Sequence, residues 1–132
     1  MAQPKFQLLY VSQLAPGSDF GVVKSIVAVS RQHNLEQRIT GTLLFDGERF
    51  CQLIEGAEPD VLALTARIER DPRHKHLQLL HTGQCAAEQT TQRWASGYCD
   101  AHELDVFGAE SGLRGAPALH AFKAVLKVAD LA

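Results

Sequence analysis

Two periods of hydrophobic and polar residues alternate along this chain, and their order predicts its architecture. Phe6 to Leu14 carries Leu8, Leu9, Tyr10 and Val11 in loose alternation, the pattern of a strand. The breakers Ala15-Pro16-Gly17-Ser18-Asp19 follow, with Ser18 or Asp19 placed to cap a helix. From Phe20 to Asn34, Val22, Val23, Ile26, Val27 and Val29 recur at helical spacing. Their β-branched side chains favour helices poorly, but Lys24, Ser25, Ser30, Arg31 and Gln32 interrupt the run as an amphipathic helix would. Ile39–Phe45 and Glu48–Glu55 read as strands on either side of Asp46-Gly47, a strong hairpin signal. Gly56-Ala57 ends the second strand, and Glu58-Pro59-Asp60 opens a helix with proline in its first turn. Val61, Leu64 and Ile68 give that helix an apolar face, and Asp71-Pro72 closes it. Short strands are predicted at Leu77–His81 and Trp94–Cys99, with a polar stretch from Glu88 to Arg93 between them.

Strand, helix, strand, strand, helix, strand and one additional strand is the order of an α+β, ferredoxin-like βαββαβ fold, with both helices on one face. In that fold the first and third strands are expected as a parallel central pair, Tyr10 midway along one and Gln52 midway along the other. If Leu8, Tyr10 and Ser12 share a face with Phe50, Gln52 and Ile54, the phenol and the carboxamide meet beneath the helices. A slip of a single residue would turn them apart. From Asp100 onward the character changes. Gly108, Gly112, Gly115 and Pro117 punctuate the tail, then Leu119, Phe122, Val125, Leu126 and Leu131 run at near-helical spacing. Residues 1–100 are therefore expected as the domain and 101–132 as a helical extension, packed on the open face of the sheet or on another subunit.

Composition narrows the function classes. A chain of 132 residues suits one domain, and 45% hydrophobic with 21% charged residues is a globular balance. Thirteen Lys/Arg against fifteen Asp/Glu, net charge -2, leaves no electrostatic footprint for nucleic acid or an anionic membrane. No apolar run is long enough to span a bilayer, and the start has no secretory h-region. Cys51, Cys85 and Cys99 lie far apart, as reduced thiols do, so a cytoplasmic location is expected. Phosphate-loop, dinucleotide and G-x-S-x-G motifs are absent. His74-Lys75-His76 lacks a third ligand, so no metal site is expected. Without an engine for hydrolysis or group transfer, the chain reads as a non-enzyme.

What stands out is three polar residues: Tyr10 and Gln52, which interrupt apolar runs, and Asn34, which ends the first predicted helix. A buried polar group without a partner costs about 1–3 kcal/mol. Singly, each is explained by hydrogen bonds to backbone or to one another. Together they suggest more, because Asn and Gln each offer a donor and an acceptor in one planar group. Such groups match the edge of a flat heterocycle, a flavin or a purine, which Val and Ile faces could sandwich. Arg70 and Arg73, with Arg67 one turn earlier, either hold a phosphate or complement the dipole of a solvated helix end.

Tyr10-Val11-Ser12, Ser30, His33-Asn34, the block ITGTLLFDGERFCQLIEG (39–56), ARIERDPRH (66–74) and Arg93-Trp94-Ala95-Ser96-Gly97-Tyr98 together resemble the BLUF family, blue-light sensors that use FAD. The resemblance runs from Phe6 to Tyr98. It implies a ferredoxin-like fold with non-covalent FAD between the two helices. It also implies that Asn34 binds the ring edge and that Gln52 bridges the ring and Tyr10. On light absorption Tyr10 would give an electron and a proton, and the return of charge would leave Gln52 rotated or tautomerised. Ser12, Ser30 and His33 match polar neighbours of the ring or ribityl chain; Ile26 and Ile68 match its apolar sandwich. Arg67, Asp71, Arg73 and His74 match the cluster near the ribityl and phosphate chain. Trp94 and Ser96 match the relay strand, where Trp94-Ala95-Ser96 carries Ser in place of the usual Met. Short members of the family form homo-oligomers and signal to a separate protein. As the chain ends soon after the sensor, no attached cyclase or phosphodiesterase is expected. Two alternatives remain on the same fold. One is a small acylphosphatase-like hydrolase, for which the Gly-rich anion loop is missing. The other is an interaction module without photochemistry, which intact Tyr10, Asn34 and Gln52 oppose.

Overall fold

A computed structural model of the chain describes residues 5–17, 39–85, 94–107 and 112–131. Its strands are β1 (Phe6–Leu14), β2 (Thr40–Phe45), β3 (Arg49–Gly56), β4 (His74–Gln84), β5 (Trp94–Tyr98) and β6 (Asp130–Leu131). Its helices are α1 (Glu58–Arg70), α2 (Ala101–Asp105) and α3 (Gly115–Leu126). The predicted helix from Phe20 to Asn34 lies outside the described residues, and with it Ile26, Ser30, His33 and Asn34.

Alternation decides what each face of the sheet buries. Leu8 and Tyr10 of β1 join Ile39, Ile54, Val61 and Leu64 in one core, against which Phe6, Ile68 and Leu77 pack. Leu9 and Val11 turn the other way and join Leu44, Cys51, Leu53 and Leu80. That second core is closed by Leu104 of α2, by Phe107, and by Ala118, Phe122 and Val125 of α3. The sheet is therefore covered on both sides, by α1 on one and by the C-terminal segment on the other, and its central strands are buried on both faces.

The strand order is β4-β1-β3-β2-β5-β6, the ferredoxin-like order extended at β5, which runs parallel to β2. β1 and β3 are neighbours as expected, but they run antiparallel, Phe6 opposite Gly56 and Gln13 opposite Arg49. The hairpin explains the correction. Gly47, at φ 104, reverses the chain, and Asp46 Oδ1 accepts from the backbone of Glu48 and Arg49 at 2.9 and 2.7 Å. β3 thus runs against β2 and inserts between β1 and β2, which share a direction. Close approach of β2 and β3 also requires Gly41, where a Cβ would collide with the Leu53 carbonyl oxygen.

α1 starts where proline allows, carries Glu58 and Asp60 in its first turn and Arg67 and Arg70 in its last, and so complements its own dipole. On the opposite face Phe122 is fully buried and meets Phe107 edge-on, ring centroids 6.4 Å apart. Phe122→Ala is expected to cost about 3–5 kcal/mol, read as a lower urea midpoint. An unchanged midpoint would mean that α3 does not depend on this anchor.

Candidate functional site

Antiparallel register sets Tyr10 directly opposite Gln52. Both side chains stand on the α1 face and both are buried, 1% and 3% exposed. Tyr10 Oη donates to Gln52 Oε1 at 2.5 Å. Burial first, then the Cys51 thiol and the Asp71 carboxylate, push the phenol's pKa far up, so Tyr10 keeps its proton as a donor. With Oε1 engaged, the Gln52 Nε2 hydrogens find no acceptor among the described residues. A buried carboxamide with unspent donors calls for a partner carrying acceptors.

The neighbouring row on this face extends the polar site. Ser12 lies opposite Phe50, and Ser12 Oγ is 3.1 Å from His74 Nδ1. The His74 ring packs 4.7 Å from that of Phe50. Burial holds His74 below its ordinary pKa, Asp71 pulls it up and Arg73 pushes it down; the ring is neutral at pH 7. At the edge, Arg73 Nε donates to Asp71 Oδ1 and Oδ2 at 2.9 and 3.1 Å, and Nη2 reaches Oδ2 at 2.5 Å. This grip keeps the Asp71 carboxyl below the usual range.

The structure therefore brings together Tyr10, Gln52, Ser12 and His74, with Ile68 of α1 half-buried in the same core. Asp71 and Arg73 pair with each other beside them, and Arg67 stands exposed on α1. Ser96 occupies the cross-strand row of Gln52, but Leu43 of β2 lies between. Two strand spacings separate Ser96 and Gln52, about 10 Å. Trp94 pairs through its backbone with Gly41. Among the described residues no group of His, Cys, Asp and Glu could hold a metal ion.

Sequence reasoning passed over two polar centres on the opposite face. Glu55 is fully buried and accepts from Gln7 Nε2 at 3.3 Å and Cys85 Sγ at 3.0 Å, while Gln7 Oε1 meets His81 Nε2 at 3.1 Å. Burial, then Glu55, pushes the Cys85 thiol up to about 12, so it remains a donor. The other centre is Arg49, whose guanidinium joins the hairpin to α2. Glu55 had a signal, a carboxylate closing an apolar run. Arg49 had none.

Comparison with known proteins gives this geometry its context. Residues 6–97 match the family model "BLUF: Sensors of blue-light using FAD", and the chain belongs to that family. It is 33% identical over 70 residues to the "Blue light- and temperature-regulated antirepressor BluF" of Escherichia coli K12, covering 53% of this chain and 17% of that protein. It is 31% identical over 87 residues to the "Photoactivated adenylate cyclase subunit beta" of Euglena gracilis, covering 66% of this chain and 10% of that one. The chain thus spans under a fifth of the length of these relatives. Among solved structures it resembles "BlsA ground state" (TM-score 0.77, 25% identity, 97% of this chain and 91% of that). It also resembles "BlrB - a BLUF protein, dark state structure" (TM-score 0.71, 25% identity, 94% and 98%). The expected family and the ferredoxin-like fold are borne out, and the acylphosphatase-like alternative is not favoured. The chain is a sensor domain for blue light whose cofactor is FAD.

Proposed function

We propose that this protein reports blue light by holding FAD against the Tyr10–Gln52 pair and letting Gln52 switch its hydrogen bonds. One observation carries the reading: Tyr10 Oη engages Gln52 Oε1, while the buried Nε2 donors keep no partner among the described residues. That donor set fits the acceptor-bearing edge of a flavin. FAD, when bound, supplies the blue-light absorption and an electron acceptor. Tyr10 would give up an electron and, through Gln52, a proton, and take both back, so that only the Gln52 hydrogen bonds end up changed. A carboxamide that rotates or tautomerises presents an altered donor–acceptor pattern to its neighbours. An added donor at a ring carbonyl shifts absorption to the red. Ser12, Ile68 and His74, with Ile26, Ser30, His33 and Asn34, would hold the ring and ribityl chain; Arg67, Asp71 and Arg73 would serve the phosphate side.

In this reading residues 1–100 are the sensor and 101–132 its output, which changes a surface for a separate signalling protein rather than making a product. The chain acts as a cytoplasmic homo-oligomer. No helix among the described residues is long and apolar enough to cross a membrane. Purified protein is expected to be yellow, with a visible spectrum that shifts red under blue light and returns in the dark. A protein that takes up no FAD, or a yellow one indifferent to light, would refute the proposal.

A further inference from the structure

The β2–β3 hairpin ends on a side chain that grips two parts of the chain. Arg49 opens β3 and points to the face covered by α2 and α3. Its Nε donates to Asp46 Oδ2 at 2.9 Å, and its Nη2 lies 2.8 Å from the same carboxylate. The same Nη2 reaches the Ala101 carbonyl at 2.8 Å and Asp105 Oδ1 at 2.7 Å. The two ends of this grip differ. The Asp46 side chain is 1% exposed and also accepts two backbone N–H groups of the turn, so the sheet end is fixed. The Asp105 side chain is 68% exposed, so water and salt screen the helix end.

Position makes the grip informative. Arg49 lies three residues before Gln52 on β3, and the row Tyr10–Gln52–Leu43–Ser96 runs across the sheet into β5. β5 ends at Tyr98, Cys99 N donates to Phe45 O, and α2 begins at Ala101. The strand that bears the carboxamide is therefore joined to the C-terminal segment twice, through the register of β5 and directly through Arg49. An open cleft of about 560 Å³, lined by Arg49, Lys75, Ala101 and Asp105 among others, lies beside the contact.

We infer that Arg49 is a positioning residue that carries the rearrangement at Gln52 into α2 and the C-terminal segment. The inference rests on the photosensor reading, which the red shift tests separately. Hydrogen bonds of a planar guanidinium weaken steeply with misalignment, so a small displacement of β3 breaks the screened α2 end first and leaves Asp46 engaged.

Hydrogen–deuterium exchange of the FAD-loaded full chain, in the dark and under steady blue light, decides it. Wild type is expected to show a light-minus-dark difference in residues 99–126. Arg49→Met should keep the red shift and lose that difference. Should Arg49→Met fail to fold because Asp46 is left buried and charged, Arg49→Met with Asp46→Asn removes that charge and keeps the turn's acceptor. Lys75→Gln, on the same cleft but outside the grip, should behave as wild type. A merely structural Arg49 would raise exchange equally in both states. Two results would overturn the inference: an Arg49 variant with a normal red shift and an intact light-minus-dark difference, or a red-shifting wild type with no difference in this segment.

Discussion

Tyr10→Phe yields a yellow protein whose spectrum no longer acquires a red-shifted product under blue light. The substitution keeps the ring that fills the core between Leu8, Ile54 and α1 and removes only Oη. Gln52 Oε1 then loses its donor in a buried site, a cost of about 1–3 kcal/mol. Against a typical stability of about 5–15 kcal/mol the fold survives, and flavin binding with it. On the proposed reading the substitution removes the group that supplies both electron and proton, so the loss of photoproduct should be complete rather than partial. Absorption spectra under saturating blue light measure it. A normal red shift in the Tyr10→Phe protein would show that the phenol has no part in the chemistry.

Where local chemistry and tertiary context agreed, the fold was legible. β1 spans the residues that its alternation predicts, and α1 runs between the expected Glu58 start and Asp71-Pro72 stop. The direction of β1 against β3 was misread because periodicity reports which face a residue takes, not which way its strand runs. Only the hairpin's reversal settles direction. β4 begins at His74 rather than Leu77, and its early residues alternate weakly, because it ends the strand order and His76 sits at φ 54 where the register with β1 shifts. α3 starts at Gly115, ahead of the apolar run that announced it. Pro117 was read as punctuation, yet it sits in the first turn, where its missing N–H costs nothing.

The candidate site divides along the same line. Tyr10 and Gln52 could be expected together from the strand order and residue parity; the register that sets them opposite each other comes from the structure. Ser12 and His74 meet where β1 pairs with β4, and Asp71 meets Arg73 in the turn between α1 and β4; neither pairing leaves a period in the sequence, and only the family block drew Ser12, Asp71 and His74 into the site. Arg49 was invisible for a third reason. A charged residue beside a turn is the ordinary surface choice, and its partners at Ala101 and Asp105 are far along the chain.

Gln52→Leu separates the donor of charge from the group that stores the signal. Leucine is similar in size and keeps the row between Tyr10 and Leu43 filled, so the fold is retained at the cost of an unpaired Tyr10 hydroxyl, again about 1–3 kcal/mol. The protein should bind FAD and be yellow. On the proposed reading Tyr10 would still quench the ring's excited state by electron transfer, but the carboxamide beside it that exchanges donor for acceptor is gone. Flavin fluorescence is therefore expected to stay quenched in Gln52→Leu and to brighten in Tyr10→Phe, while the stable red shift is missing from both. This pairing matters because an absent shift in either variant alone would be equally consistent with a damaged pocket. If Gln52→Leu still converts to a red-shifted form, the switching hydrogen bond belongs to another residue, and the contact between Tyr10 and Gln52 serves packing rather than signalling.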